Sequence, residues 1–271
     1  MSQGPTTPES SAARKSPWPL RIALMWGGLM VVIAIAVLAA VSLLSNPLPD
    51  AVLSTEADTL AREMQRAVNT EAWRRTGAVS WTFAGQQRHL WDRQRQFVRV
   101  EWPEHDVILD LSTREGLARR NGKPVTVEET PKLLDKAWAL WCNDSFWLNP
   151  IDKLFDEGTE RAIAELDSGQ RGLLITYGSG GVTPGDRYLW LLGEDSRPTA
   201  WRMWTEILPI QGLEASWEGW IELETGASVA TTHQLPIIEL RLSDVRGAAT
   251  LAELIDGEDP FRPLELLRGS K

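Results

Sequence analysis

From residue 77 onward the chain alternates apolar and polar side chains with a period of two, in short runs that recur as far as residue 245. That period belongs to β-strands, whose successive side chains point to opposite faces. Val79, Trp81 and Phe83 alternate with Ser80, Thr82 and Ala84. Val98, Val100 and Trp102 alternate with Phe97, Arg99 and Glu101, and a further run starts at His105. Asn121-Gly122 is a hairpin turn between runs at 117–120 and 124–127. Later runs fall at 161–166, 173–177, 187–192, 200–207, 213–223, 227–234 and 237–245. One-sided alternation marks antiparallel sheet with one face wet. About a dozen short strands at regular spacing predict one curved sheet or an incomplete β-barrel, in an α+β fold with covering helices.

Two helical stretches punctuate this pattern. Leu53, Ala57, Leu60, Met64 and Val68 recur at helical spacing, with Asp50 or Ser54 available as N-cap, so a helix is predicted to about Thr70. Thr130-Pro131 opens a second helix in which Leu133, Leu134, Ala137, Trp138, Leu140 and Trp141 leave few polar positions, as in a buried helix. A short helix is predicted at 250–256, followed by a loosely structured tail from Glu258.

Before all of this, residues 22–44 form a run of 23 without a charge. As a helix it would reach roughly 34 Å, enough for a hydrocarbon layer of about 30 Å. The leader, residues 1–21, carries Arg14, Lys15 and Arg21 against Glu9, whereas 45–59 has only acidic charges. The positive-inside rule puts the leader in the cytoplasm and the rest outside. Trp18 and Trp26 lie where aromatic rings favour the membrane interface. The run exceeds the usual signal-peptide core of about 7 to 15 residues, so an uncleaved signal anchor is the reading adopted. Together these features predict a single-pass bacterial inner-membrane protein with a periplasmic C-terminal domain. Its divisions are a cytoplasmic leader (1–21), the anchor (22–44), a linker (45–52), a half-barrel domain (53–248) and a short helix with a C-terminal tail (249–271).

Composition adds two constraints. The chain has net charge −9, but three basic and one acidic residue precede Leu44, which leaves 25 basic and 36 acidic residues and a net −11 beyond it. Nucleic acid is excluded as the main partner, because phosphate binding needs clustered Lys and Arg. The 14 Trp outnumber 5 Phe and 2 Tyr, and twelve of them follow Leu44. Each can bury about 150–250 Å² and carries a ring N–H that wants a partner. Trp in this excess can line a cavity for an apolar chain.

Catalytic motifs are absent. His89, His105 and His233 stand in no ligand-like spacing, and Cys142, the only cysteine, sits in an apolar helix without a basic neighbour in the sequence. The glycines of 178–185 precede a strand, which suits a long hairpin better than a phosphate cradle. No enzyme activity, metal or cofactor is expected.

Three segments carry a resemblance. They are Trp81-Thr-Phe-Ala-Gly85 through Trp91-Asp92 and Val98-Arg-Val-Glu101; Asp144-Ser-Phe-Trp-Leu-Asn-Pro150 with Lys153-Leu154 and Gly158; and Gly181-Val-Thr-Pro-Gly-Asp186 through Tyr188. In these, over roughly residues 55–246, the chain resembles a family of uncharacterised bacterial exported domains related to the lipoprotein-sorting (LolA/LolB-like) proteins. The resemblance implies an incomplete β-barrel with helices on its apolar side, binding lipids or lipoprotein acyl chains. The expected function is therefore a membrane-tethered periplasmic module that binds such a chain. Trp81, Phe83, Trp102, Trp201, Trp204 and Trp217 would line the interior, and Trp138, Trp141 and Trp147 would form the lid. The alternative is an envelope interaction or sensor module with a filled core. Expected partners are the inner membrane through 22–44, a lipid or lipoprotein, and an envelope protein.

Overall fold

A computed structural model describes residues 32, 33, 35, 38, 39, 41–166, 169–180 and 183–269. The chain divides into two compact units, Met1–Ser45 and Asn46–Lys271. In the first, the described residues up to Leu44 are helical. The leader and most of the anchor expected over 22–44, with Trp18 and Trp26, lie outside the described residues. Among those described, no helix is long and apolar enough to cross a membrane.

The second unit is an α+β fold of mostly antiparallel sheet. It opens with β1 (Ala51–Leu53), α1 (Thr55–Ala67) and α2 (Thr70–Arg75). The first strand series is β2 (Ala78–Phe83), β3 (Gln87–Asp92), β4 (Phe97–Trp102), β5 (His105–Asp110), β6 (Gly116–Arg120) and β7 (Lys123–Pro124). Helix α3 (Thr130–Leu148) and a 3₁₀ turn (Pro150–Lys153) interrupt it. The second series is β8 (Thr159–Glu165), β9 (Arg171–Tyr177), β10 (Arg187–Leu192), β11 (Pro198–Trp204) and β12 (Leu213–Ser216). The ribbon β13 (Ile221–Glu222) and β14 (Ser228–Val229) leads to β15 (Thr232–Gln234) and β16 (Glu239–Ala248). Helices α4 (Leu251–Leu254) and α5 (Arg262–Gly269) close the chain.

The strands order as β15-β16-β2-β3-β4-β5-β6-β7 in one sheet and β1-β8-β9-β10-β11-β12 in the other. The sheets meet where Glu218 and Thr232 exchange backbone hydrogen bonds of 3.0 and 3.1 Å. At the far ends, β7 and β1 each pair on one side only, so no barrel closes.

Local chemistry accounts for the element boundaries. Ser54 caps α1 by accepting from the Ala57 N–H, and Pro131 occupies the first turn of α3. Several boundaries differ from expectation. The expected linker and helix start at 45–53 instead contain β1, because Ala51–Leu53 pair with 162–164 of β8. The single strand expected over 213–223 breaks at Gly219, whose φ of 61° turns the chain where a Cβ would meet the Thr231 hydroxyl at 2.8 Å. Beyond it the chain forms the separate ribbon. Of the run at 124–127, only Pro124 lies in the strand Lys123–Pro124, and beyond it the Val125 N–H donates to the Ala118 carbonyl at 3.2 Å. The tail expected to be loose is anchored: Phe261 and Leu264 of the α5 segment are buried against Ala78 and Phe97.

The face on which α1, α2 and α3 pack is here the inner face. It carries three clusters that run together, because Trp147 packs on the first and second and Trp91 and Trp141 on the second and third. The outer face of β2 to β5 lies under α4 and α5.

Candidate functional site

Strand parity and register decide which Trp side chains meet. In β10 and β11, Trp190 stands directly opposite Trp201. Trp201 pairs with Ala215 of β12, two residues before Trp217. Trp190, Trp201 and Trp217 therefore share the inner face, with all three ring pairs 4.9–5.0 Å apart. Trp204, three residues from Trp201, points to the outer face. There it packs with Leu189 and Leu191, and its ring N–H donates to the Asn46 carbonyl at 3.0 Å. The expected lining thus loses Trp204, and the reason is alternation along β11.

The remaining expected lining residues are all on the inner face. Trp81 and Phe83 belong to the second cluster and Trp102 to the third, under α3. Lys136 of α3 sits 5.1 Å from the Trp102 ring centre. Of the lid residues, Trp147 packs edge-on to Trp201 at 4.9 Å and Trp141 edge-on to Trp91 at 5.2 Å. Trp138 packs at the α3 end of the third cluster, with the Arg114 guanidinium 3.6 Å over its ring. Sequence reasoning missed Trp91, Trp190, Tyr188 and Phe146 as members of this layer. Phe146 lies 5.0 Å from Tyr188 and 5.8 Å from Trp201. The signal for Trp190 was present in its parity with Tyr188.

This interior has an unusual polar economy. Among the described residues, seven buried indole nitrogens have no hydrogen-bond partner: Trp81, Trp91, Trp102, Trp141, Trp190, Trp201 and Trp217. All seven are on the inner face. Buried polar groups in folded proteins are nearly all partnered, so a concentration on one face calls for explanation.

The buried histidines also lie here. His89 Nε2–H donates to Asp144 Oδ2 at 2.7 Å, and the imidazole stacks on Trp81 at 4.4 Å. Asn143 donates to the other Asp144 oxygen at 2.9 Å. Neither partner has significant solvent exposure. His89 thus pairs with a residue of α3, not with Asp92, which the Arg95 guanidinium holds at 2.7 Å. A His–Asp pair is the orienting half of a nucleophilic triad. Here the neighbouring Ser145 hydroxyl donates instead to the Cys142 carbonyl at 3.4 Å, and burial pushes the Cys142 thiol up to about 11. The pair ties α3 to β3. His233 donates from Nδ1 to the Ser216 carbonyl at 3.0 Å and lies between Trp147 and Trp217. Burial lowers its pKa to about 4, so it is neutral at pH 7. His105 is a surface residue stacked on Trp102. The glycine-bearing loop joins β9 to β10 as a hairpin, with residues 181 and 182 outside the described set. No group of three or more His, Cys, Asp or Glu placed to hold a metal ion occurs among the described residues.

Two surface clefts reach the edges of this layer, one at Trp91 and one at Trp217. One, of about 530 Å³, is lined by Arg74, Arg75, Arg93 and Trp91 among others. The second, of about 490 Å³, lies beside Arg197, Trp217 and Trp220. Both are broad and open.

No protein-family profile matches the sequence, and no curated relative does. Among solved structures, a DUF1329 family protein from Desulfovibrio piger is similar at 10% identity, with a TM-score of 0.36. The alignment covers 74% of this chain and 96% of that one. A likeness at that level carries no argument here.

Proposed function

We propose that this chain is a bacterial envelope module, tethered by residues 22–44 with its second unit in the periplasm, that binds a lipid or lipoprotein acyl chain. The chain would lie against the inner-face aromatic layer, after Phe146 and Trp147 of α3 swing out. The observation that carries this reading is the set of seven partnerless indole N–H groups within a continuous apolar layer. An acyl chain suits this layer, since its methylenes replace ring contacts at about 0.8 kcal/mol per buried CH₂ and its one ester or amide carbonyl accepts from a ring N–H near its polar end. The resemblance to the lipoprotein-sorting group points the same way. A tethered carrier does not shuttle, so the ligand would be received or sensed at the membrane.

One observation favours the alternative, an interaction or sensor module with a filled core. Phe146 and Trp147 of α3 already fill the inner face against the sheet. Native mass spectrometry of the full chain, extracted gently from bacterial envelopes, separates the readings. Co-purified lipid at a fixed stoichiometry is the expected result. A monodisperse lipid-free chain whose Trp fluorescence ignores added lysolipid would favour the filled module.

A further inference from the structure

The inner face of β9, β10 and β11 is built in cross-strand rows. One row holds Leu173, Trp190 and Trp201, and the next holds Ile175, Tyr188 and Met203. The ladder continues one step further, where Tyr177 N–H donates to the Asp186 carbonyl at 3.0 Å. On the other side the paired register ends at Arg187 opposite Trp204, and continuing it by one residue sets Thr205 toward Asp186. This third row, Tyr177, Asp186 and Thr205, is polar, whereas the two before it are apolar.

Each member of the row has a buried polar atom without a protein partner: the Tyr177 hydroxyl, Asp186 Oδ1 and the Thr205 hydroxyl. The other Asp186 oxygen is held by the Thr183 hydroxyl at 2.5 Å. Asp186 and Thr205 are 7% and 6% exposed, so water does not freely serve them. Burial, with the nearby Glu206 carboxylate, raises the Asp186 carboxyl above the usual carboxylate range, against hydrogen bonding from Thr183, the Glu206 backbone and the Tyr188 hydroxyl. Phe146, a residue of the α3 plug, covers this end with its ring 5.4 Å from Tyr177. Displacement of the plug therefore opens the aromatic layer and the polar row together.

We infer that Tyr177, Asp186 and Thr205 form a head-group site at one end of the aromatic layer, specific for an uncharged, hydroxyl-bearing head. The inference rests on the acyl-chain reading above and adds the chemistry of the ligand's polar end. A hydroxyl matches the row because it donates to Asp186 Oδ1 and accepts from the tyrosine or threonine hydroxyl. A carboxylate or phosphate head would bring a second negative group against a buried carboxyl, which is unfavourable in a low-dielectric site.

The test uses the full chain held in an amphipathic polymer, with Trp fluorescence read during titration below the micelle threshold. The probes are 1-decanoylglycerol and decanoate, which carry the same acyl chain and differ in the head. Decanoylglycerol is expected to bind about ten-fold or more tightly than decanoate, the scale of one buried hydrogen bond to a charged group. In Asp186→Asn the preference should shrink toward parity, because the repulsion of decanoate is removed. Thr205→Val should weaken decanoylglycerol and leave decanoate unchanged, and it serves if Asp186→Asn does not fold. Equal binding of both probes by the unaltered chain would overturn the head-group site while leaving chain binding intact. The absence of saturable binding by either probe would overturn the chain-binding reading and this inference with it.

Discussion

On the outer face of β3 to β5, buried charge is matched almost atom for atom. Arg95 bridges Asp92, Asp259 and Glu265 at 2.6–2.7 Å, and Arg268 forks onto Asp110 at 2.7 and 2.9 Å. On the inner face of the same and neighbouring strands, aromatic rings dominate and seven indole N–H groups find no partner. Both faces are covered by helices, so burial alone does not explain the difference. The outer cover, α4 and α5, is fastened by ion pairs and by Phe261. The inner cover, α3, rests on ring contacts and on the His89–Asp144 tie. A face finished with matched hydrogen bonds suits permanent packing. A face of rings with free donors can exchange one apolar neighbour for another at little polar cost, which is what a ligand requires.

That contrast can be broken first at its centre. Trp201→Ala removes a fully buried ring whose ring partners are Trp190 of β10, Trp217 just beyond β12 and Trp147 of α3, and should destabilise the second unit by about 4 kcal/mol in chemical denaturation. A loss near 1 kcal/mol would mean the layer is loosely packed already.

The second effect is pH-dependent and separates the faces by window. An unfolded chain protonates His233 near 6.5 and the folded chain near 4. Between those values the unfolded state holds the extra proton, so stability falls as pH is lowered from 6.5 to 4, by roughly 3 kcal/mol. On the outer face, Asp110 is held well below the ordinary carboxylate range; its burial opposes this, and hydrogen bonds from Arg268 and Ser112 outweigh burial. Its contribution is present above the unfolded value of 3.8 and is lost as pH falls below it. Urea denaturation at intervals from pH 7 to pH 3 should show the inner-face loss first. His233→Gln should flatten the upper window alone.

A third substitution tests the plug. Phe146→Ala should cost about 2 kcal/mol, because the ring is half-buried, yet should tighten lysolipid binding by lowering the cost of opening. Unchanged or weaker binding would count against displacement of α3. The smallest effects belong to the outer side. Arg268→Ala leaves buried Asp110 short of its fork and should cost about 2 kcal/mol or less without altering lipid binding. Arg88→Ala, at an exposed pair with Glu101, should fall within about 0.5 kcal/mol.

Much of the sheet was legible because its signal is local. Alternation located most strands, the Ser54 cap and Pro131 placed α1 and α3, and β10 matched residue for residue. The separation of Trp201 from Trp204 was also written in parity, although both were expected in the lining. The misses have non-local causes. His89 meets Asp144 across 55 residues of sequence, a pairing that no spacing rule carries. β1 exists because β8 offers an edge. The order in the C-terminal tail comes from the burial of Phe261 and Leu264 on the outer face. At Gly219 a turn overrode an apolar alternation that otherwise runs on to Leu223. The polar row of Tyr177, Asp186 and Thr205 depends on register across three strands, which is fixed only when the hairpins close.

The central claim is that the inner face exchanges its α3 cover for a ligand while the outer face stays shut. Amide hydrogen exchange on the full chain, with and without lysolipid, tests it most directly. The account predicts faster exchange at the C-terminal end of α3, 141–148, slower exchange in β9 to β11, and no change in α5. Unaltered exchange in α3 with lysolipid at saturating concentration, or an equal change in α3 and α5, would contradict it.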